Sequence, residues 1–174
     1  MNKIIEVEEI KIYKDIGKNP DKDKISQLIE EAQITHLKDT LGSQFYFDLY
    51  NNLDNPIYQD LLSGSSFSYK DINYYQDGIK ALLSDYFMSK YVMQINVNFT
   101  PFGATVKETD NSSPVERNTL KDISTQQLQL ASSRWELIEM YLDSNKSIFS
   151  NWKNNTCTNS SENSERRYKF RIIK

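Results

Sequence analysis

The chain has 174 residues, of which 38% are hydrophobic and 26% charged, and its formal net charge is −3. This length suffices for one domain with a hydrophobic core, and this composition argues against an intrinsically disordered protein. The mild negative charge argues against a protein that coats nucleic acid through bulk charge. Because tyrosine is abundant and glycine scarce, at 11 and 5 residues, helices with aromatic packing are favoured over a loop-rich β fold.

Cysteine content and hydropathy limit the class of protein further. Cys157 is the only cysteine, so no disulfide framework and no thiolate metal cluster is expected. Residues 1–12 mix Glu and Lys with apolar residues, unlike a signal peptide, and no apolar run approaches the roughly 20 residues that span a bilayer. The sequence therefore predicts a protein of the reducing cytoplasm with no membrane partner.

The segment "IIEVEEIKIYKDIG" predicts a short helix with one apolar face. Val7, Ile10 and Tyr13 share that face, and Gly17 is expected to end the helix.

A long apolar stripe follows and predicts a helix over 24–41. Asp21 or Asp23 can cap its start, and Gly42 suits the position just after its end. The stripe consists of Ile25, Leu28, Ile29, Ala32, Leu37 and Leu41.

Two shorter helices are predicted next. The first covers 43–53, with Phe45, Leu49 and Leu53 inward and Tyr46 and Tyr50 beside them. The second is "PIYQDLLSG", because proline is tolerated at the first helical position and glycine is favoured after the last.

The strongest helical pattern spans about 73–94. It comes after "SSFSYKDI", a connection that could be extended at Phe67 and Tyr69. Its apolar residues recur at spacings of three and four: Ile72, Tyr75, Ile79, Leu82, Leu83, Tyr86 and Met93.

A long non-helical stretch, "INVNFTPFGATVKETDNSS", then separates this helix from the last one. Val97 and Phe99 alternate with Asn, and Pro101 and Gly103 suit a turn, so the stretch predicts a β-hairpin followed by polar coil. Loops of this length are uncommon in compact domains and tend to be functional or disordered.

The last helix is predicted over 114–144. Ser113 can cap it, Pro114 fits its first position, and Glu116 completes a capping box. Its predicted inward residues are Leu120, Ile123, Leu130, Trp135, Ile138, Tyr141 and Leu142.

The C-terminal segment has a different character. Residues 154–164 are polar and of low complexity, which predicts a flexible linker. The final "RRYKFRIIK" alternates apolar and basic residues as a strand does. A terminal strand needs a partner edge, and the N-terminal "KIIEV" and a neighbouring subunit are both candidates.

Catalytic and metal chemistry finds little support in the residues. His36, the only histidine, lies beside an apolar stripe with no second ligand or nucleophile at helical spacing. The pair Glu30–Glu31 points to different faces of a helix, whereas acid–base catalysis needs converging groups in a pocket. We therefore expect no enzyme, no cofactor and no metal.

The N-terminal half resembles a known family. "VEEIKIYKDIG" followed by "KISQLIEEAQITHLKDTLGSQFYFDL" resembles the head–tail connector (adaptor) proteins of tailed bacteriophages, most closely those of crAss-like phages and related Bacteroidetes prophages. The order continues with a Tyr-rich helix, an extended loop carrying "TPFG" and a long helix starting at Ser-Pro, so the resemblance covers roughly 4–149.

This resemblance implies a structural virion protein and a mainly α fold. Such connectors are helical bundles that form a ring of twelve beneath the portal protein, extend the channel through which genomic DNA passes without sequence-specific binding, and dock further neck and tail proteins. They are assembled in the bacterial cytoplasm and lie in the neck of the virion.

The expected organisation is a helical connector domain over 1–150 with a projecting loop over 96–112, then a flexible linker and C-terminal strand over 151–174. A ring subunit must bury surface against its neighbours, and a projecting hairpin or an added strand can supply that surface. The candidate interface residues are Val97, Phe99, Pro101, Phe102, Gly103, Val106, Tyr168, Phe170 and Ile172.

Two other classes remain open. The basic residues of the tail, interleaved with aromatic ones, could serve a DNA-binding or regulatory protein, although a strand with one dry and one solvated face explains the same pattern. A small metal-independent enzyme is the remaining alternative. The basic residues are Arg166, Arg167, Lys169, Arg171 and Lys174.

Overall fold

The computed structural model describes residues 3–17, 21–94, 97–100, 103–106 and 115–153, and for 98–100 and 103–106 it describes the backbone alone. This part of the chain is mainly helical, as predicted, with two small antiparallel hairpins. The helices are α1 (Val7–Tyr13), α2 (Lys22–Ala32), a π-helical turn (Gln33–Leu37), α3 (Lys38–Leu41), α4 (Ser43–Asn51), α5 (Pro56–Ser63), α6 (Ile79–Gln94) and α7 (Arg117–Ser144). The strands are β1 (Ser65–Tyr69), β2 (Ile72–Gln76), β3 (Val97–Thr100) and β4 (Gly103–Val106).

The predicted cap at Asp21 and the long apolar stripe are confirmed, whereas Gly17 does not end the first helix, because α1 already ends at Tyr13. Asp21 caps α2 by accepting hydrogen bonds from the backbone N–H groups of Asp23 and Lys24, each at 3.1 Å. Gly42 follows α3 with a φ of +76°, which an L side chain rarely adopts. Every residue of the long stripe is buried: Ile25, Leu28, Ile29, Ala32, Leu37 and Leu41.

The π-helical turn explains how this stripe stays on one face. Ala32 and Leu37 are five residues apart, so a regular α-helix would rotate Leu37 away from the core. The i→i+5 turn absorbs the extra residue and keeps both side chains buried. Within the turn, Gln33 is fully buried and its Oε1 accepts a hydrogen bond from the N–H of Ile4 at 2.9 Å.

The prediction of a helix beginning near 73 is wrong. Residues 72–76 form β2, which pairs with β1 around a two-residue turn at Lys70 and Asp71. Both turn residues have positive φ, +51° and +63°, as the mirror-image turns of tight hairpins require. Ile72 and Tyr75, expected inside, are 56% and 57% exposed.

Glycine determines where this hairpin ends and α6 begins. Gly78 has a φ of +89°, and a Cβ there would lie 2.5 Å from the carbonyl oxygen of Leu62. A helix running continuously through Gly78 is therefore excluded, and α6 starts at Ile79.

The longest helix, α7, runs antiparallel to α6 and begins three residues later than predicted. Glu116 itself occupies the N-cap position, so it cannot serve as the third helical residue of a capping box, and Ser113 and Pro114 lie outside the described residues. Leu130, predicted to point inward, is 39% exposed, whereas its neighbour Ala131 is fully buried against the core.

Aromatic rings pack together where the segment after α7 meets α4. Phe45 of α4 contacts the rings of Phe149 and Trp152, with centroids 5.9 and 5.6 Å apart. Trp152 also donates its indole N–H to Asp143 at 3.1 Å. The chain after α7 is thus folded back onto the core as far as Trp152; of the predicted linker and terminal strand, residues 154–174 lie outside the described residues.

A buried ion cluster joins the end of α1 to α6 and α7. Asp85 of α6 is fully buried, and its two carboxylate oxygens accept hydrogen bonds from Nη1 of Arg134 in α7 at 2.7 and 2.6 Å. Lys14, just after α1, brings its Nζ to 2.5 Å from the same carboxylate. Nζ of Lys14 also donates to Gln127 of α7 at 2.6 Å, and Nε of Arg134 donates to Asp77 at 2.8 Å.

The carboxylate of Asp85 is neutralised by Lys14 and Arg134 within the protein rather than by water. Burial by itself lowers the pKa of Arg134, but its hydrogen bonds and charge attraction to Asp77 and Asp85 outweigh that effect and raise it. Buried pairs of this kind stabilise little relative to an apolar core, but breaking one by removing a single partner is strongly destabilising.

Leu83→Asp should unfold the domain. Leu83 is fully buried in α6, and an unpaired carboxylate there costs several kcal/mol, a large share of the roughly 5–15 kcal/mol by which domains are stable. Thermal unfolding followed by circular dichroism should show no cooperative transition. Ile12→Asp is the matched control, because Ile12 is 77% exposed and its substitution should leave the transition nearly unchanged. A normal transition for Leu83→Asp would contradict this account of the core.

Asp85→Ala should lower the free energy of unfolding by about 3–5 kcal/mol, because it leaves two largely buried cations without their shared partner. Asp77→Ala is the control: Asp77 also binds Arg134 but is 42% exposed, so its loss should cost under about 1 kcal/mol. Urea titration of both variants measures the difference. Equal decreases in the free energy of unfolding would show that the burial of Asp85 does not determine how much the cluster stabilises the fold.

Candidate functional site

The β3–β4 hairpin is the predicted projecting element, and the structure confirms its pairing. Val97 pairs with Val106 and Thr100 with Gly103 in an antiparallel register. The hairpin follows α6 directly, whereas β1–β2 precedes α6, so the two hairpins stand at opposite ends of that helix.

Lys24 anchors the base of this hairpin to α2. Its Nζ donates hydrogen bonds to the carbonyl oxygens of Gln94, at the end of α6, and of Val97, at the start of β3, the latter at 3.0 Å. A cation at this position also suits the negative end of the α6 dipole. An open cavity of about 340 Å³ at this position is lined by Lys24 and by the acidic residues Asp21, Asp23 and Glu31.

The predicted interface residues fall into two groups. Val97 is half-buried, and Phe99, Gly103 and Val106 lie in the strands of the β3–β4 hairpin. The remaining five lie outside the described residues, and their role stays a prediction: Pro101, Phe102, Tyr168, Phe170 and Ile172.

The middle of α7 offers a second surface, which sequence reasoning missed. Residues 123–133 contain no Asp, Glu, Lys or Arg, although most of them are exposed. Leu128 and Leu130 are 38% and 39% exposed within this segment. A solvated helix face is normally rich in charge, and interface cores are depleted of it. We call residues 123–133 the uncharged segment of α7; the gap in charge was the signal available in the sequence.

The uncharged segment and the β3–β4 hairpin are different surfaces of one bundle. On its inner side, α7 is held to α6 by Ser124, whose hydroxyl donates to the carbonyl oxygen of Ser89 at 2.9 Å, and by the buried Ala131. Its outer side carries Thr125, Gln126 and Gln129, all exposed. These side chains can donate and accept hydrogen bonds without the desolvation cost of a charge.

Two groups that could carry chemistry, Asp85 and His36, have structural partners. Both carboxylate oxygens of Asp85 are already hydrogen-bonded to Arg134, so neither is a free base. His36 stacks on Tyr86 with ring centroids 5.0 Å apart, and burial lowers the pKa of the imidazole. Among the described residues, no group of three His, Cys, Asp or Glu side chains is placed to hold a metal ion. Over the same residues, no helix combines the length and apolar character that crossing a membrane requires.

Comparison with known proteins assigns the chain to a family but gives it no function. No curated protein and no solved structure gave a significant match. A family model matches residues 37–162, which cover α3 to α7 with both hairpins and the anchored segment after α7. The chain therefore belongs to this family, described as a family of unknown function (DUF6712).

Proposed function

We propose that the protein is a structural subunit of a ring in the neck of a tailed bacteriophage, between the portal protein and the tail. The proposal starts from the resemblance of residues 4–149 to head–tail connector proteins. The observation that carries it further is that one bundle bears two dissimilar elements: the β3–β4 hairpin and the uncharged, largely exposed segment of α7.

Two dissimilar surfaces suit a ring. A contact between unlike surfaces is head-to-tail, and it closes into a ring when the rotation between subunits fits. In this arrangement the hairpin of one subunit lies on the uncharged segment of the next. The anchoring of the hairpin by Lys24 to both α2 and α6 holds it in a defined direction, which reduces the entropy cost of association.

The other partners follow from the same proposal. The ring has twelve copies, docks on the portal protein and on further neck and tail proteins, and lets genomic DNA pass through its lumen. The net charge of −3 suits a channel that does not retain DNA. The subunit is made in the cytoplasm of the bacterial host and has no catalytic role. Co-purification with the portal protein of the same phage tests the proposal most directly.

Replacing residues 97–110 with a short Gly/Ser linker should leave the fold intact and abolish incorporation into the neck. The expected far-UV spectrum and melting temperature are close to those of the parent, because the ion cluster and the aromatic end of the bundle are untouched. Replacing 107–110 alone, which keeps β3 and β4, is the matched control and should co-purify with the portal as the parent does. A melting temperature well below the parent's would instead make the hairpin part of the core.

Gln129→Lys should weaken ring formation at least about tenfold, since a charge buried in an uncharged interface must lose its hydration. Glu136→Lys is the control, because Glu136 is exposed on the same helix but outside the uncharged segment. Sedimentation of each variant with the portal protein measures assembly, and melting temperature checks the fold. Equal assembly of the two variants would show that the uncharged segment of α7 is not part of the interface.

A further inference from the structure

The β1–β2 hairpin has an outer edge on β2 that is suited to pairing. Its two-residue turn is closed by the pair Tyr69 and Ile72, which exchange hydrogen bonds in such hairpins. Since hydrogen-bonded and non-hydrogen-bonded pairs alternate, the backbone groups of Asn73 and Tyr75 point away from β1. A two-stranded sheet is marginally stable by itself, and a third strand adds substantially to it.

The two faces of this hairpin differ in chemistry. On the inner face, Phe67 stacks on Tyr74 with centroids 5.7 Å apart and meets Tyr141 of α7 edge-on at 5.5 Å. On the outer face, the hydroxyl of Ser68 is hydrogen-bonded to Asn73.

The inner face is incompletely covered on the β2 side. Ile72, at the tip of β2, is 56% exposed, whereas its cross-strand partner Tyr69 is half-buried against the core. A strand added beside β2 would shield Ile72 only if that strand had one apolar face.

The C-terminal segment of this chain has the required pattern. In "RRYKFRIIK", Tyr168, Phe170 and Ile172 alternate with three basic residues, Arg167, Lys169 and Arg171. We propose that residues 166–173 add to the free edge of β2 as a third strand. The apolar residues then extend the aromatic inner face, and the basic residues join the polar outer face.

The end of the described chain packs into the same aromatic core as the β1–β2 hairpin. Trp152 is linked to Phe67 through ring contacts of 5.5–6.0 Å that run by way of Phe45, Phe149 and Tyr141. Residues 154–165 separate Lys153, the last described residue, from the strand-like segment and span roughly 20 Å on average, or about 40 Å when extended. Tethering over such a length gives an effective concentration in the millimolar range.

Other edges are less suitable. The N-terminal "KIIEV", expected as a possible partner edge, is not a strand: Ile4 and Ile5 are buried in the core, and Val7 begins α1. The β3–β4 hairpin stands at the far end of α6, which is about 24 Å long. The aromatic core that the end of the described chain shares with the β1–β2 hairpin therefore favours that hairpin over both.

Amide hydrogen exchange measured by NMR on the full chain tests this inference. The amides of Asn73 and Tyr75 should exchange at least about tenfold more slowly than in a Lys169→Pro/Phe170→Pro variant, because pairing must open before exchange. Neighbouring N–H groups of a strand point to opposite edges, so one of the two prolines disrupts the pairing in any register. Asn159→Pro/Ser160→Pro, in the linker, is the matched control and should leave both amides protected.

The outcomes separate the possible occupants. Protection of Asn73 and Tyr75 that does not change with protein concentration supports docking within one chain. Protection that rises with concentration would mean that the strand comes from a second copy, and protection of Ser66 and Ser68 instead would place it on the β1 edge; either result overturns the proposal. Identical exchange in the parent and the Lys169→Pro/Phe170→Pro variant would also overturn it.

Discussion

The carboxylate of Asp85 sets the main constraint on this structure. A charge with no access to water must be matched within the protein, and two cations from distant parts of the chain match it here: Lys14, after α1, and Arg134, on α7. Apolar contacts between helices tolerate some sliding, whereas three charged groups within hydrogen-bonding distance tolerate very little. The cluster thereby determines how α1 and α7 are placed against α6.

Because α6 is held in this way, each of its two ends fixes the position of the hairpin attached to it. At its start, Gly78 allows β2 to turn sharply into the helix, with the backbone passing too close to Leu62 for any side chain. At its end, Lys24 binds the last carbonyl of α6 and the first of β3 together. Each hairpin therefore emerges in a direction set by the core, although the two use different devices, a glycine and a cation.

The surfaces left exposed are consistent with a protein that works by assembly. Residues 123–133 of α7 lack the charges that would keep a helix face hydrated, and among the described residues no third strand pairs with β1–β2 beside the exposed Ile72. Such features invite association and are usually blunted in proteins that remain monomeric. The chain's family has no known function, and the proposal of a ring subunit rests on these surfaces together with the resemblance to phage connectors.

Local sequence was sufficient to predict the elements whose signals are local. The cap at Asp21, the start of α5 at Pro56 and the buried stripe of α2 depend on residues within a few positions of one another, and each was predicted. The pairing of β3 with β4 was predicted for the same reason, because its turn and its alternation lie within ten residues.

Tertiary structure decided the features that depend on distant residues. Ile72 and Tyr75 have helical spacing with Ile79, but the backbone crowding of Gly78 against α5 breaks the helix, and this crowding exists only in the folded chain. Leu130 and Ala131 are neighbours, and it is contact with α6 that selects the smaller one for burial. The pairing of Asp85 has no local signal, because its partners lie 71 and 49 residues away along the chain, and no periodicity in the sequence records such a distance. Periodicity thus predicts which side of a helix is dry, whereas packing decides which charges are buried on it and what balances them.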